Sequence, residues 1–324
     1  MKPVLCLGDV CPDIILPYGQ TKAVLDAAAR GEDTGGSPQL GASIQPGGSI
    51  GNTAAGLARL GTPVLLAGTV GDDALGRMLR DDLVAEGVDT TLLRLAPELS
   101  TIMILVVVEA DGGRVPYALP RTGASHLQLV PEQLPGDLPR QIGWLHTTGM
   151  NLTEEPSAST TLDLMARCRA AGVPVSLDIN SRIEAMGNPR FLGNLRQAAA
   201  CCTLLMGSGP DELMPLAGED TPHAAAQSLA RDGRVVVCRM GSQGADVYTQ
   251  EGRWHQDALE VEVADTIGAG DAYNSGYLAA AWRGLSPQEA NRWGCAAAGV
   301  CVSVPGARGC PPLGRLLDLV ARTS

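Results

Sequence analysis

Short runs of Val and Leu that end in glycine alternate along this chain with helical stretches, and that alternation admits few folds. Strands that reach one another through helices lie parallel in one sheet, with the helices covering its two faces. The apolar runs place strands near 3–8, 63–68, 143–148, 173–178, 203–206 and 234–239. The periodic stretches place helices at 50–60, 73–86, 157–171, 189–200, 223–231, 271–283 and 287–303. Pro287 after Ser286 suits a first helical residue, where its missing N–H would have no partner in any case. The expected class is α/β with a mainly parallel central sheet. Two regions break the rhythm: 14–18 with 41–46, and 100–119, where 101–109 and 115–119 flank a turn at Asp111-Gly112-Gly113. Without helices between them, these segments are expected to form a small antiparallel sheet beside the main one. The stretch 28–46, rich in Gly, Ser and Pro, reads as a loop, and 235–240 with 245–249 reads as a hairpin around Gly241-Ser242-Gln243-Gly244.

The 324 residues are ample for a large core, and 45% apolar with 18% charged residues is a globular mix. With Phe191 the lone phenylalanine, that core must be built from Leu, Val, Ala and Met. A formal charge of −11 argues against a nucleic-acid surface. Nine cysteines show no CxxC pair and no secretory segment precedes them, so reduced, mostly buried thiols in a cytoplasmic protein are expected. The four histidines lack metal-ligand spacing, and no apolar run approaches the roughly 20 residues that cross a bilayer. Lysine is nearly absent. Only Lys2 and Lys22 occur, so there is no Gly-Lys-Ser/Thr phosphate loop. If this chain handles phosphoryl groups, backbone amides, metal and arginine must neutralise them.

Asp265-Thr266-Ile267-Gly268-Ala269-Gly270-Asp271 puts two glycines and an acid where an apolar segment gives way to an Ala-rich helix. Glycines let backbone approach a ligand closely, and a helix start aims N–H groups and a positive dipole end at it. Asp271 would stand where an attacking hydroxyl loses its proton; alternatively it is an ordinary N-cap. Near the start, Gly8-Asp9-Val10-Cys11-Pro12-Asp13 sets two carboxylates at the C-terminal end of the first strand, where open α/β sheets bind ligands. They could accept hydrogen bonds from sugar hydroxyls, or form an Asp-Pro turn beside a cap. Gly47-Gly48-Ser49-Ile50-Gly51-Asn52 enters a helix, and Asn52 offers a donor and an acceptor one turn inside it.

With those two glycine motifs in view, the chain resembles the ribokinase or PfkB carbohydrate-kinase family over nearly its whole length. The resemblance implies a three-layer α/β/α ribokinase-like domain spanning 1–324, with a small β-sheet lid near 14–46 and 100–122 that often doubles as a dimer interface. It implies Asp271 as the catalytic base, with the amides of Gly268, Ala269, Gly270 and Asp271 as an anion hole. Sugar contacts fall to Asp9, Asp13, Gly47, Gly48 and Asn52, and nucleotide contacts to Thr266, Gly268, Gly270, Gly241 and Gly244. ATP and Mg2+ are implied. Gly209-Pro210-Asp211-Glu212 matches the family's Asn-x-x-Glu motif with glycine in place of asparagine, leaving Glu212 to act on the metal through water. Asp178-Ile179-Asn180-Ser181-Arg182 is similar to a segment of fructokinase-like members, and Arg182 could reach phosphate or a substrate acid group. Arg121 sits where acid-sugar kinases place a substrate arginine. Gly306-Ala307-Arg308-Gly309-Cys310-Pro311 resembles the loop that helps bind potassium in ribokinases, with Cys310 where serine is usual.

The implied reaction is ATP-dependent phosphorylation of a primary hydroxyl on a small sugar, with a homodimer, no nucleic acid and no membrane as the expected associations. Ser49 stands where sugar-phosphate kinases of the family tend to have lysine, which favours an unphosphorylated sugar of the ribose, fructose or 2-keto-3-deoxygluconate type. A nucleoside kinase, or a non-catalytic sugar- or nucleotide-binding regulator on the same fold, are the alternatives. A dinucleotide-dependent oxidoreductase has little support, since no G-x-G-x-x-G follows the first strand.

Overall fold

The computed structural model describes residues 1–18, 22, 26, 27, 29–31, 43–108, 114–119, 123–181 and 183–322. Thirteen strands are β1 Val4–Leu7, β2 Cys11–Pro17, β3 Ser43–Gly47, β4 Val64–Gly71, β5 Asp89–Ala96, β6 Met103–Val108, β7 Arg114–Leu119, β8 Trp144–Thr148, β9 Val175–Asp178, β10 Leu204–Ser208, β11 Val235–Arg239, β12 Ala245–Tyr248 and β13 Arg253–Gln256. The longer helices are α1 Ser49–Arg59, α2 Ala74–Ala85, α3 Ser157–Ala170, α4 Pro189–Cys201, α5 Pro222–Leu229, α6 Ala269–Trp282, α7 Pro287–Val302 and α8 Leu313–Arg322.

Nine strands form one sheet in the order β13-β12-β11-β10-β9-β8-β1-β4-β5, parallel except for the antiparallel pairs that β12 makes with β11 and β13. The pleat of β1 shows the layering. Val4 and Cys6 face a core with Ile50 and Leu57 of α1, Leu79 of α2, Leu278 of α6 and Ala297 of α7, whereas Leu5 and Leu7 face Leu164 of α3, Leu195 of α4 and Ala226 of α5. Alternate side chains of a strand point to opposite faces, so each face of the sheet has its own helical layer. This is the three-layer α/β/α arrangement, with a mainly parallel centre.

A second sheet has the order β3-β2-β6-β7. It is mixed rather than wholly antiparallel: the β2/β3 and β6/β7 pairs are antiparallel, but β2 runs parallel to β6. Between β3 and β6 the chain passes through α1, β4, α2 and β5, so the two hairpins join by a crossover instead of a tight turn. The turn expected at Asp111-Gly112-Gly113 lies outside the described residues.

Three further differences from the sequence reading have physical causes. Cys11, Pro12 and Asp13 begin β2 instead of forming a turn; Pro12 lies opposite Pro46, and pairing with β6 starts only at Asp13, so neither proline interrupts a ladder. Strand β5 carries an irregular Asp-Thr-Thr-Leu-Leu-Arg-Leu-Ala pattern and is specified by its pairing with β4 at the sheet edge. Strand β13, Arg-Trp-His-Gln, has no apolar run and is held by β12 at the other edge. Edge strands need bury only part of their surface, so periodicity marks them poorly. The expected hairpin around residues 241–244 is present as β11, a 3₁₀ turn at Gly241–Gln243, and β12.

Candidate active site

The C-terminal ends of β1, β9, β10 and β11 open toward the N-termini of α1 and α6, the crevice in which open α/β sheets bind ligands. Gly48 caps α1 with φ 84°, and a Cβ there would lie 2.8 Å from the Asp9 carbonyl oxygen and from Val10 Cα. Only glycine permits that close crossing of the β1–β2 and β3–α1 turns. It places Asp9 over the start of α1, where its carboxylate accepts from the Ser49 N–H at 2.8 Å and the Ile50 N–H at 3.4 Å. Asp9 is thus also the side chain that satisfies first-turn donors of α1.

Gly268, in the left-handed region at φ 78°, caps α6. Asp271 is the third residue of that helix and is not its cap: its side chain crosses to α1 and accepts from the Ser49 hydroxyl and, at 2.9 Å, from the Asn52 amide. Asn180, held at φ 35°, donates in turn to the Ser49 hydroxyl. Burial pushes the Asp271 carboxyl up to about 7, against the two donated hydrogen bonds and with help from the charges of Asp178 and Asp9. Asp13 is pushed up to about 6, by burial first and the Asp9 charge second, with Arg308 opposing. The first N–H groups of α6 have no intrahelical acceptors and point where an anion would sit.

A second network backs the first. Arg239, at the end of β11, donates two hydrogen bonds to Asp178 at 2.6 and 2.9 Å, one to Asn274 of α6 at 3.2 Å, and lies 3.6 Å from Glu212. Burial pulls its guanidinium down, but Asp178 and Glu212 outweigh that and hold it above its ordinary range. Glu212 accepts from the backbone N–H groups of Ser208 at 2.6 Å and Ser181 at 2.8 Å, and burial followed by the Asp178 charge raises its carboxyl.

Asp9, Asp13, Ser49, Asn180, Glu212 and Asp271 line a cavity of about 550 Å³. At Ser208, Arg239 and Gly270 it meets a second cavity of about 610 Å³, walled by Leu259, Val261, Val263 and Tyr273 and edged by Gly241, Gly244 and Thr266. A side chamber of about 260 Å³ shares Asp9, Cys11, Ile104 and Met150 with the first. Of the expected sugar contacts, Asp9, Asp13 and Gly48 reach the cavity wall. Gly47 packs behind Asp13, and Asn52 is buried with both amide atoms engaged, by Asp271 and by Arg308. Gly268 and Gly270 line the first cavity, and Ala269 lines the second. Arg121 and Arg182 lie outside the described residues.

Sequence reasoning read Ser49 for substrate preference and Asn180 within a matched segment without joining either to Asp271, and it did not single out Arg239. The available signal was position: each ends or follows a strand whose C-terminal end faces the crevice, or opens the helix beside it.

The described residues contain no cluster of three or more His, Cys, Asp or Glu able to hold a metal ion. Mg2+ keeps several waters and binds through one or two carboxylates plus substrate phosphates, so Asp211 and Glu212 on the cavity wall fit a water-mediated ion rather than a protein cage. Asp265 joins the turn before α6 to the loop after α7, accepting from Ile267 at 3.1 Å and Gly306 at 3.3 Å. Cys310 Sγ lies 3.8 Å from the Gly56 carbonyl, turned toward α1.

A parallel sheet between helical layers, with paired glycine turns and a buried carboxylate at one crevice, is an arrangement suited to phosphoryl transfer. The pfkB family carbohydrate kinase profile matches residues 6–313, and the chain belongs to that family. It is a phosphotransferase with a sugar or nucleoside hydroxyl as acceptor. Aminoimidazole riboside kinase of Salmonella typhimurium is 35% identical over 234 residues, 72% of each chain. The crystal structure of aminoimidazole riboside kinase from Salmonella enterica, complexed with aminoimidazole riboside and an ATP analog, superposes with TM-score 0.79 at 26% identity over 98% of this chain and all of that one. A double mutant of fructokinase from Vibrio cholerae O395, bound to fructose, ADP and potassium ion, superposes with TM-score 0.81 at 25% identity over 99% of this chain and 98% of that one. No helix of the described residues is long and apolar enough to cross a membrane.

Proposed function

We propose that the protein transfers the γ-phosphate of ATP to a primary hydroxyl of a small unphosphorylated sugar, with Asp271 as general base. The observation that carries this reading is the Asp271 carboxyl, buried at the N-terminus of α6 and pushed up to about 7, facing the 550 Å³ cavity. A base poised near neutrality can take the hydroxyl proton as the oxygen attacks. Phosphoryl transfer otherwise needs positioning and charge stabilisation, and the α6 N–H groups of Ala269 and Gly270 supply donors without a lysine. Asp9 and Asp13 orient the acceptor. The apolar 610 Å³ cavity takes the adenine and ribose, beside Gly241 and Gly244.

Mg2+, bound with the nucleotide, would supply charge neutralisation at the phosphates, and Glu212 would hold it through water. A monovalent cation such as K+ fits the region where Asp265 ties residue 306 to the turn of Gly268. The sheet β3-β2-β6-β7 is the lid of a single kinase domain, excluding water that would hydrolyse ATP. Ile44, Ile14, Leu105 and Tyr117 lie in one register row across it, and Ile44 and Tyr117 are exposed. That apolar outer face supports a homodimer. Nine unpaired cysteines suit a reducing, cytoplasmic setting.

One observation favours a second reading, a riboside as acceptor. The 260 Å³ chamber beside Asp9 is walled by Ile102, Ala118, Ala124, Leu127 and Met150, with His126 buried in its wall and the His126 Nδ1 without a partner. Mainly apolar walls with a ring nitrogen left without a partner, Asp9 and Thr153 lying in the same wall, suit a heterocyclic substituent better than a second set of hydroxyls.

The test is Asp271→Asn in an ADP-release assay across free sugars and ribosides. Turnover is expected to fall about 10² to 10⁴-fold with ATP binding kept, the usual worth of a general base. A kcat within tenfold of the parent overturns the assignment.

A further inference from the structure

We propose that Arg308 is a positioning residue that fixes the amide of Asn52 so that it donates to Asp271. The inference rests on Asp271 as the base. Arg308 lies in the loop between α7 and α8, far in sequence from both partners. Its Nε donates to Asn52 Oδ1 at 3.2 Å, and one terminal nitrogen donates to the Asp82 carboxylate of α2. The guanidinium side chain is 9% exposed, and its Nη2 is buried without a hydrogen-bond partner. The loop is itself clamped, because Arg59, paired with Glu86, donates to the Arg308 carbonyl.

An asparagine amide carries an acceptor at one end and donors at the other, and a guanidinium can only donate. With Arg308 on its oxygen, Asn52 must present its NH2 to Asp271 Oδ2, 2.9 Å away. A flipped amide would set N–H against N–H at Arg308 and oxygen against carboxylate at Asp271. Arg308 therefore selects the rotamer that stabilises the ionised base, without touching substrate.

Other charges face Asp271 from every side. They are Asp9 after β1, Asp178 at the end of β9 and Arg239 at the end of β11, with the thiols of Cys11 on β2 and Cys301 on α7 nearby. Three of these carry charge close to the base and none touches Asn52 in the hydrogen-bond network, so loss of Arg308 should reach Asp271 through Asn52, while loss of its charge raises the Asp13 carboxyl separately.

The experiment is a double-mutant cycle of Arg308→Met and Asn52→Ala, read as kcat, KM and the pH dependence of kcat, with thermal unfolding as a folding control. Arg308→Met alone is expected to lower kcat about twofold to fivefold near pH 7, with the acid limb moved upward by about 0.5 to 1 in pH, as loss of a hydrogen bond to a carboxylate requires. In the Asn52→Ala background it should lower kcat no further and leave the acid limb unmoved, any remaining change falling on KM through Asp13. Losses of kcat that multiply, or a uniform loss with an unmoved pH profile, overturn the inference. If Arg308→Met does not fold, Asp82→Ala removes the acceptor that holds the guanidinium while keeping Arg308, and the same cycle is run with that variant. If Asp271→Asn retains turnover, the base reading fails whatever Arg308 does. If Asp271→Asn is inactive while the cycle is additive, only the role of Arg308 is lost.

Discussion

Arg239 reaches across β10 from the end of β11 to close a two-point hydrogen-bonded pair on Asp178 at the end of β9, with contacts of 2.6 and 2.9 Å. The Asp178 side chain is 1% exposed and that of Glu212, 3.6 Å from the same guanidinium, 8%. Arg239→Met would leave two buried carboxylates without their cation. Removing one partner of a buried pair costs about 3 to 5 kcal/mol, so the denaturant midpoint is expected to fall steeply. An unchanged midpoint would show that the pair is not what holds these strand ends together.

Stability and activity should respond oppositely to pH. In the folded protein Asp271 titrates near 7 and Asp13 near 6, both raised above the ordinary 3.8. Between about pH 4 and pH 7 the unfolded chain has released protons that the folded protein still holds, so the stability these groups contribute declines as pH rises and levels off above 7. For Asp271, the rise from 3.8 to about 7 corresponds to about 4 kcal/mol at most. Unfolding followed at pH 5 and pH 8 should show this loss, and Asp271→Asn should reduce it to the part that Asp13 contributes. The same ionisation governs turnover, so kcat/KM should climb through neutrality in the parent enzyme. An equal pH slope of stability in parent and variant would contradict the raised carboxyl.

Gly268 cannot take a side chain without disturbing the turn before α6. Its φ is 78°, and a Cβ would collide with the Ala307 carbonyl. Gly268→Ala should displace the α6 N–H groups and lower kcat at least about 10²-fold, the loss expected when a preorganised donor is misplaced. Circular dichroism would confirm that the rest of the fold persists. Near-parent turnover would mean that this turn does not hold the phosphate.

His126 separates the two acceptor readings. For a riboside, His126→Leu should raise KM by about tenfold, close to the worth of one hydrogen bond, with the KM for ATP unchanged. For a free sugar it should change neither constant. Steady-state kinetics on ribose, fructose and a set of ribosides decide between them.

Local sequence was enough for much of this protein. Strand and helix periods, the glycine turns at Gly48 and Gly268, and the acids Asp9, Asp13 and Asp271 are all visible in short windows, because turn sterics and amphipathic burial act between near neighbours. Those same windows could not show that Asp9 also satisfies the start of α1, that Asn52 faces Asp271 and Arg308 instead of open cavity, or that Arg239 binds Asp178. Strands β5 and β13 were likewise invisible, since edge pairing specifies them. Ser49 and Asn52 meet Asp271 across 222 and 219 residues of chain. What raises Asp271 to about 7 is desolvation by everything packed around it, and no local pattern encodes that. Near-neighbour patterning specifies the layered α/β scaffold and the residue types at its crevice; which of them touch is settled by packing, because hydrogen-bond partners and burial are properties of the whole fold.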